Sequence, residues 1–255
     1  MSNVEQLEGE IRSLAKNLRL GSSIASLYKE VAFEKPALFV RDLLQIVWNA
    51  RLRDRIARRQ AMAGLLASKT LESFDPSCLE LPTSVELNWF TECRFIGAKQ
   101  NLILQGPPGT GKTHFATALG LQACKQGYKC QMKRMATLVE ELTAAYEAKE
   151  LTAYKHRLEM ADVLIIDEWG YLPITVTGTR LLFDIIADCY ECRSVILTTN
   201  MPVAEWNKIF CDERLLMAII DRIVHHGRLL EFTGQSRRVS EALMFGRNTS
   251  AQPEK

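Results

Sequence analysis

The stretch Gly106-Pro107-Pro108-Gly109-Thr110-Gly111-Lys112-Thr113 restricts the fold of this chain more than any other, because it fits G-x-x-x-x-G-K-[ST]. Its glycines admit backbone angles closed to residues with side chains, so successive N–H groups can turn inward around an anion. A helix starting near Lys112 would add the positive end of its dipole. Lys112 is placed to reach β- and γ-phosphates, and the Thr113 hydroxyl to complete a Mg²⁺ shell. The apolar run Leu102-Ile103-Leu104 comes just before and the helix-like Phe115–Leu121 just after. Strand, glycine-rich loop and helix are the context this motif needs. Residues Gly106 to Thr113 therefore imply binding of a nucleoside triphosphate.

From about residue 100 onward strand and helix patterns alternate. Strands are expected near 101–105, 128–133, 163–167, 194–199 and 229–233, and helices over 112–126, 136–159, 178–192 and 213–226. Gly127, Gly178 and Gly227 punctuate the ends. Such alternation predicts an α/β fold, a five-stranded parallel sheet with right-handed crossovers and helices on both faces. Val163-Leu164-Ile165-Ile166 reads as a central strand buried on both sides. Residues 1–69 contain little Gly or Pro and predict a small all-helical N-terminal domain. Residues 70–245, including a turn-rich connector, predict the nucleotide-binding domain, and 246–255 a disordered tail.

The acids Asp167 and Glu168 end the apolar strand, where open parallel sheets bind ligands. Asp167 is a candidate to hold Mg²⁺ with Thr113, and Glu168 to orient and deprotonate an attacking water. The Glu favours hydrolysis over transfer to a small-molecule acceptor. Asn200 ends the next strand, before Met201-Pro202. It is either a contact to the γ-phosphate and the lytic water or a turn former before proline. Arg222, late in a helix, is either a charge supplied to a neighbouring subunit's nucleotide or half of a surface pair with Asp221. Gly234-Gln235-Ser236-Arg237-Arg238 is either a segment whose arginine closes over the nucleotide or a basic turn.

The net charge of +2 decides nothing about partners, so the distribution of charge must. Arg51, Arg53, Arg55, Arg58 and Arg59 are offset only by Asp54, and form either a solvated helix face or a surface for DNA phosphates. The polar start of the chain and the lack of 18-residue apolar runs point to the cytoplasm. Seven scattered cysteines with one CxxC, Cys189 to Cys192, point to buried or partly buried thiols and not to zinc. His225 and His226 fit a helix C-terminal cap better than a metal site.

Taken together, these motifs resemble the IstB-like ATP-binding proteins of insertion sequences, relatives of the DnaC and DnaA branch of AAA+ ATPases. The resemblance runs from Leu71 to Arg238. It is carried by Leu71-Glu72-Ser73-Phe74-Asp75, the phosphate loop with His114, Ile165 to Pro173, Thr198-Thr199-Asn200-Met201-Pro202, Glu205-Trp206 and Asp221 to His226. The family commonly shows Gly-x-Ser-Tyr-Arg where this chain has Gly234-Gln235-Ser236-Arg237-Arg238, which leaves Arg238 as the second sensor. Trp169 stands where the family has an aliphatic residue.

What the resemblance implies is an AAA+ ATPase that uses ATP and Mg²⁺ and includes His114 in its nucleotide segment. It would assemble as a homo-oligomer on double-stranded DNA and serve a separate, IstA-like transposase. An extra helix is implied between the second and third strands, within 137–160 and facing DNA. Lys133, Arg134, Lys149, Lys155 and Arg157 then become DNA-contact candidates, with Arg55, Arg58 and Arg59 behind them. A DnaC-like helicase loader shares the same core. A small-molecule kinase, and a scaffold in which hydrolysis only resets the assembly, are the other readings.

Overall fold

A computed structural model describes residues 3–17, 19–20, 24–31, 36–81 and 86–240. The tail expected over 246–255 lies outside the described residues. The chain divides into two compact units, Met1–Arg58 and Arg59–Lys255.

The first unit holds helices α1 (Asn3–Asn17), α2 (Ile24–Leu27) and most of α3 (Pro36–Met62). Ala15, Ile24 and Val47 form its small core, with Ile11, Leu20 and Leu43 packed around them. Arg55 and Arg58 are exposed along α3.

The second unit begins inside α3 and not after residue 69. The reason is local. Ala63 is buried, and its carbonyl accepts the Met132 N–H at 2.8 Å, so the segment after α3 finishes one edge of the sheet. The sheet has six strands in the order β1-β6-β2-β5-β4-β3. The five expected parallel strands are β2 (Asn101–Gln105), β3 (Cys130–Arg134), β4 (Val163–Trp169), β5 (Ser194–Thr199) and β6 (Gly227–Phe232). The sixth, β1 (Leu79–Glu80), was not expected. It comes from the connector and pairs antiparallel with β6.

Side chains of the central strands alternate between two apolar layers, as a strand's two-residue period requires. Val163 and Ile165 join Leu119, Ile196 and Leu230 on the face of α6 (Lys112–Gln126). Leu164 and Ile166 join Leu182, Leu197 and Ile219 on the face of α7 (Met135–Glu147), α9 (Val176–Cys189) and α10 (Glu213–His225). At about 1.5–3 kcal/mol per large aliphatic side chain removed from water, this double-faced burial fixes the register of β4. Short helices Leu87–Thr91 (α4) and Arg94–Gly97 (α5) lead into β2.

The helix expected over 136–159 is two, α7 and α8 (Leu151–Glu159). They break at Lys149, whose φ is +60°. Helix α9 starts before Gly178, because Thr175 caps it by accepting the Gly178 N–H at 3.0 Å. A last helix, α11, spans Arg237–Ser240. Among the described residues no helix is long and apolar enough to cross a membrane. Cys93, Cys124, Cys130 and Cys189 are buried and Cys78 is half-buried, whereas Cys192 and Cys211 are exposed. No group of residues among those described could hold a metal through His, Cys, Asp and Glu alone.

Candidate functional site

The loop Gly106–Gly111 leaves the carboxyl end of β2 and enters α6 at Lys112. The Gly106 N–H donates to the Thr199 carbonyl at 3.2 Å, and the Thr110 hydroxyl to the Pro107 carbonyl at 2.8 Å. Two glycines are required by space. A Cβ at Gly106 would overlap the Phe232 carbonyl, and one at Gly109 would overlap the Ser236 hydroxyl. Lys112 is only 6% exposed, and its ammonium donates to the carbonyls of Gly106 at 2.6 Å and Pro107 at 2.7 Å. Pro107 and Pro108 are exposed on the loop's outer turn.

Strand β4 reaches the same edge through an irregularity. Ile166 pairs with Leu197 and Trp169 with Thr199, so Asp167 and Glu168 together face Thr198 alone. Such a bulge re-aims side chains. Asp167 turns inward and is 5% exposed, whereas Glu168, with φ +59°, has a side chain 51% exposed. The Thr113 hydroxyl donates to Asp167 Oδ1 at 2.9 Å. The Thr198 hydroxyl donates to the same oxygen and accepts the Glu168 N–H at 3.0 Å. One buried threonine thus sets both acids. A buried carboxylate beside a hydroxyl is a hard oxygen pair suited to Mg²⁺, so Thr113 and Asp167 fit the metal that the resemblance implies. Glu168 Oε2 lies 3.7 Å from Arg134 Nε.

Asn200 is exposed in the bend after β5, next to the Thr199 carbonyl that anchors the loop. Thr199 closes that bend through its hydroxyl, which accepts the Met201 N–H at 3.1 Å. Arg222 lies elsewhere. Its carbonyl accepts from the Asn101 amide at 3.4 Å, at the amino end of β2. Its guanidinium stacks 4.9 Å from the Phe183 ring and donates to the Ala218 carbonyl at 2.9 Å. A five-residue strand separates Asn101 from the loop, about 15 Å, so Arg222 cannot reach its own subunit's loop. His225 and His226 do not cap their helix with their rings, which contact Tyr190 Oη at 2.7 Å and Glu191 at 3.3 Å. The side chain of Arg238, in α11, lies outside the described residues.

His114 faces away from the loop. Its Nε2 lies 3.0 Å from the Thr70 carbonyl and 3.1 Å from the Ser73 hydroxyl, and its ring meets Phe74 edge-on. The basic candidates divide by their partners. Lys133 pairs with Glu141 at 2.8 Å and Lys155 with Asp188 at 2.7 Å. Burial would raise the Glu141 carboxyl, but hydrogen bonds from Lys133 and Tyr154 outweigh it and hold the group below its usual range. Arg157 stacks over Tyr154, Lys149 is exposed at the helix break, and Arg59 is half-buried at the end of α3. Sequence reading missed Thr198 and Ser236 as parts of the site. The polar Thr198-Thr199 end of an apolar strand was the available signal for the first of these.

The profile of the family "IstB-like ATP binding protein" matches residues 13–244. A Pseudomonas aeruginosa protein named for insertion sequence IS21 and ATP binding is 35% identical over 238 residues, 92% of this chain and 89% of that one. A Sinorhizobium fredii insertion-sequence protein, also named for ATP binding, is 34% identical over 258 residues, covering 95% and 84%. Among solved structures, the DnaC helicase loader superposes with a TM-score of 0.54 at 21% identity, over 66% of this chain and 98% of that chain. AMPPCP-bound DnaA from Aquifex aeolicus gives 0.54 at 19%, over 74% and 58%. These two likenesses show that the chain shares the fold of DnaC and DnaA. By sequence, the chain belongs to the IstB-like ATP-binding protein family.

Proposed function

We propose that this protein is an ATP-hydrolysing helper of DNA transposition, which assembles as a homo-oligomer on duplex DNA in the cytoplasm and assists a separate, IstA-like transposase. The observation that carries the ATPase half is the shared Thr198 hydroxyl, which holds Asp167 against Thr113 and Glu168 outward. Lys112 and the loop amides would bind the phosphates, and Thr113 and Asp167 would hold Mg²⁺, which would supply charge neutralisation. Glu168 takes a proton from the attacking water through its exposed carboxylate, and Asn200 orients that water from the neighbouring strand end. The products are ADP and phosphate.

The DNA half is supported by relatives named for insertion sequences over nearly the full chain. Lys149, Arg157 and Arg59, with Arg55 and Arg58 in the first unit, are the candidates without an acidic partner in the ion pairs among the described residues. They would touch phosphates, so binding falls steeply with salt and reads little sequence. A helicase loader has the same fold, and that likeness alone does not separate the two. Sizing the protein with ATP, with duplex or single-stranded DNA, and with a replicative helicase does. The expected result is an ATP-dependent assembly on duplex DNA; a complex formed only with helicase would refute the transposition reading.

A further inference from the structure

We propose that Asp75 and Arg237 form a latch across the phosphate loop that sets how long nucleotide stays bound; this rests on reading Gly106–Thr113 as the nucleotide loop. Two segments far apart in sequence meet on the loop's outer side. The strap over 70–80 is fixed to α6 by His114, which contacts the Thr70 carbonyl and the Ser73 hydroxyl, and to the loop by the Cys78 thiol, which donates to the Thr110 carbonyl at 3.1 Å. The segment after β6 is fixed to the loop by the Arg237 N–H, which donates to the Gly109 carbonyl at 3.0 Å, and by Ser236 packed on Gly109.

The Thr233 N–H already joins these segments by donating to the Cys78 carbonyl at 2.8 Å, and beyond that point one side chain closes them onto each other. Arg237 Nη2 lies 2.7 Å from Asp75 Oδ2 and donates to the Asp75 carbonyl at 3.1 Å. Asp75 is itself pre-set, since its carboxylate accepts the Ser77 N–H at 2.9 Å. The base and ribose must lie beside the loop that holds the phosphates, and strap and carboxyl-terminal segment are what flank Gly109 and Thr110. Parting them requires breaking the Asp75–Arg237 contact.

The pair is half in solvent, with side-chain exposures of 55% for Asp75 and 32% for Arg237. A pair so exposed adds little to global stability. Its effect falls on the local opening of two segments, the motion that nucleotide release needs. Arg237 is therefore a positioning residue that acts through Gly109 and Asp75.

The test is stopped-flow release of mant-ADP from the full chain, with thermal unfolding alongside. Asp75→Asn keeps the acceptor for Ser77 and removes the charge, and Arg237→Gln removes the other. Each is expected to release nucleotide about fivefold faster, the scale of one charge-assisted contact, with the melting temperature hardly changed. The double variant should release no faster than Arg237→Gln alone, because that substitution already removes both contacts to Asp75, whereas Asp75→Asn leaves the bond to its carbonyl. Unchanged release in both singles, or effects that multiply, would overturn the latch. If Asp75→Asn does not fold, Arg237→Gln and Arg237→Tyr carry the test, and wild-type rates in both overturn it. Failure of the wild-type chain to bind mant-ADP at all would instead refute the nucleotide reading beneath it.

Discussion

Glu168 sits where two demands conflict. A general base must be ionised and exposed to water, yet it must also be held in place. The bulge in β4 meets both, giving Glu168 a left-handed backbone anchored by Thr198 and a side chain open to solvent. Glu168→Gln keeps the shape and removes the proposed base. Phosphate release is expected to drop by about 100-fold or more, with mant-ATP binding retained. Turnover within a factor of two of wild type would show that the proton goes elsewhere. Arg134 tests the same residue from the other side. At 3.7 Å from Glu168 Oε2 it draws the carboxylate toward β3. Arg134→Ala should raise DNA-independent ATPase activity several-fold while weakening any DNA contact that Arg134 makes; a fall in basal activity would show that Arg134 holds Glu168 in its working position.

At the scale of elements, the break between α7 and α8 shows where backbone geometry departs from residue type. Ala148, Lys149 and Glu150 all favour helix, yet Lys149 takes φ +60° and the Glu150 N–H donates to the Ala145 carbonyl at 2.8 Å, closing α7 as a turn. Lysine in that conformation costs about 1–2 kcal/mol. Lys149→Gly should therefore be neutral or stabilising by up to about 1 kcal/mol in thermal or urea unfolding, whereas Ala144→Gly, inside α7, should cost about 1 kcal/mol. Equal losses at both would place the break elsewhere. This explains why the alternating pattern located β2, β5 and α6 to the residue but read α7 and α8 as one helix. Apolar period and glycine are visible in sequence, whereas a left-handed turn closed at a lysine is not. The loop, Asp167 and Glu168 were legible because their chemistry lies in residue type and local spacing. The Asp75–Arg237 contact spans more than half the chain, and β1 is two residues long, so neither leaves a local pattern.

At the scale of the whole molecule, the sheet separates two charges that phosphoryl transfer would use together. The loop and both acids lie at the carboxyl edge of the sheet, and Arg222 at the amino edge, bonded through its carbonyl to Asn101. About 15 Å of strand lies between them, so Coulomb attraction from Arg222 to its own subunit's phosphates is small in water. If Arg222 serves hydrolysis, it serves a neighbour's. It would first have to leave the Phe183 ring and the Ala218 carbonyl, contacts that are weak enough to exchange at an interface. The prediction is complementation. Lys112→Ala protein would lack the proposed phosphate contact and Arg222→Ala protein the proposed donated charge, so each alone is expected to be inactive. Mixed assemblies contain junctions where an intact loop meets an intact Arg222, and should recover up to about a quarter of wild-type turnover if subunits mix at random. Recovery must also depend on duplex DNA if the assembly does. Absence of any recovery, in mixtures shown by sizing to co-assemble, would confine Arg222 to holding α10 against β2.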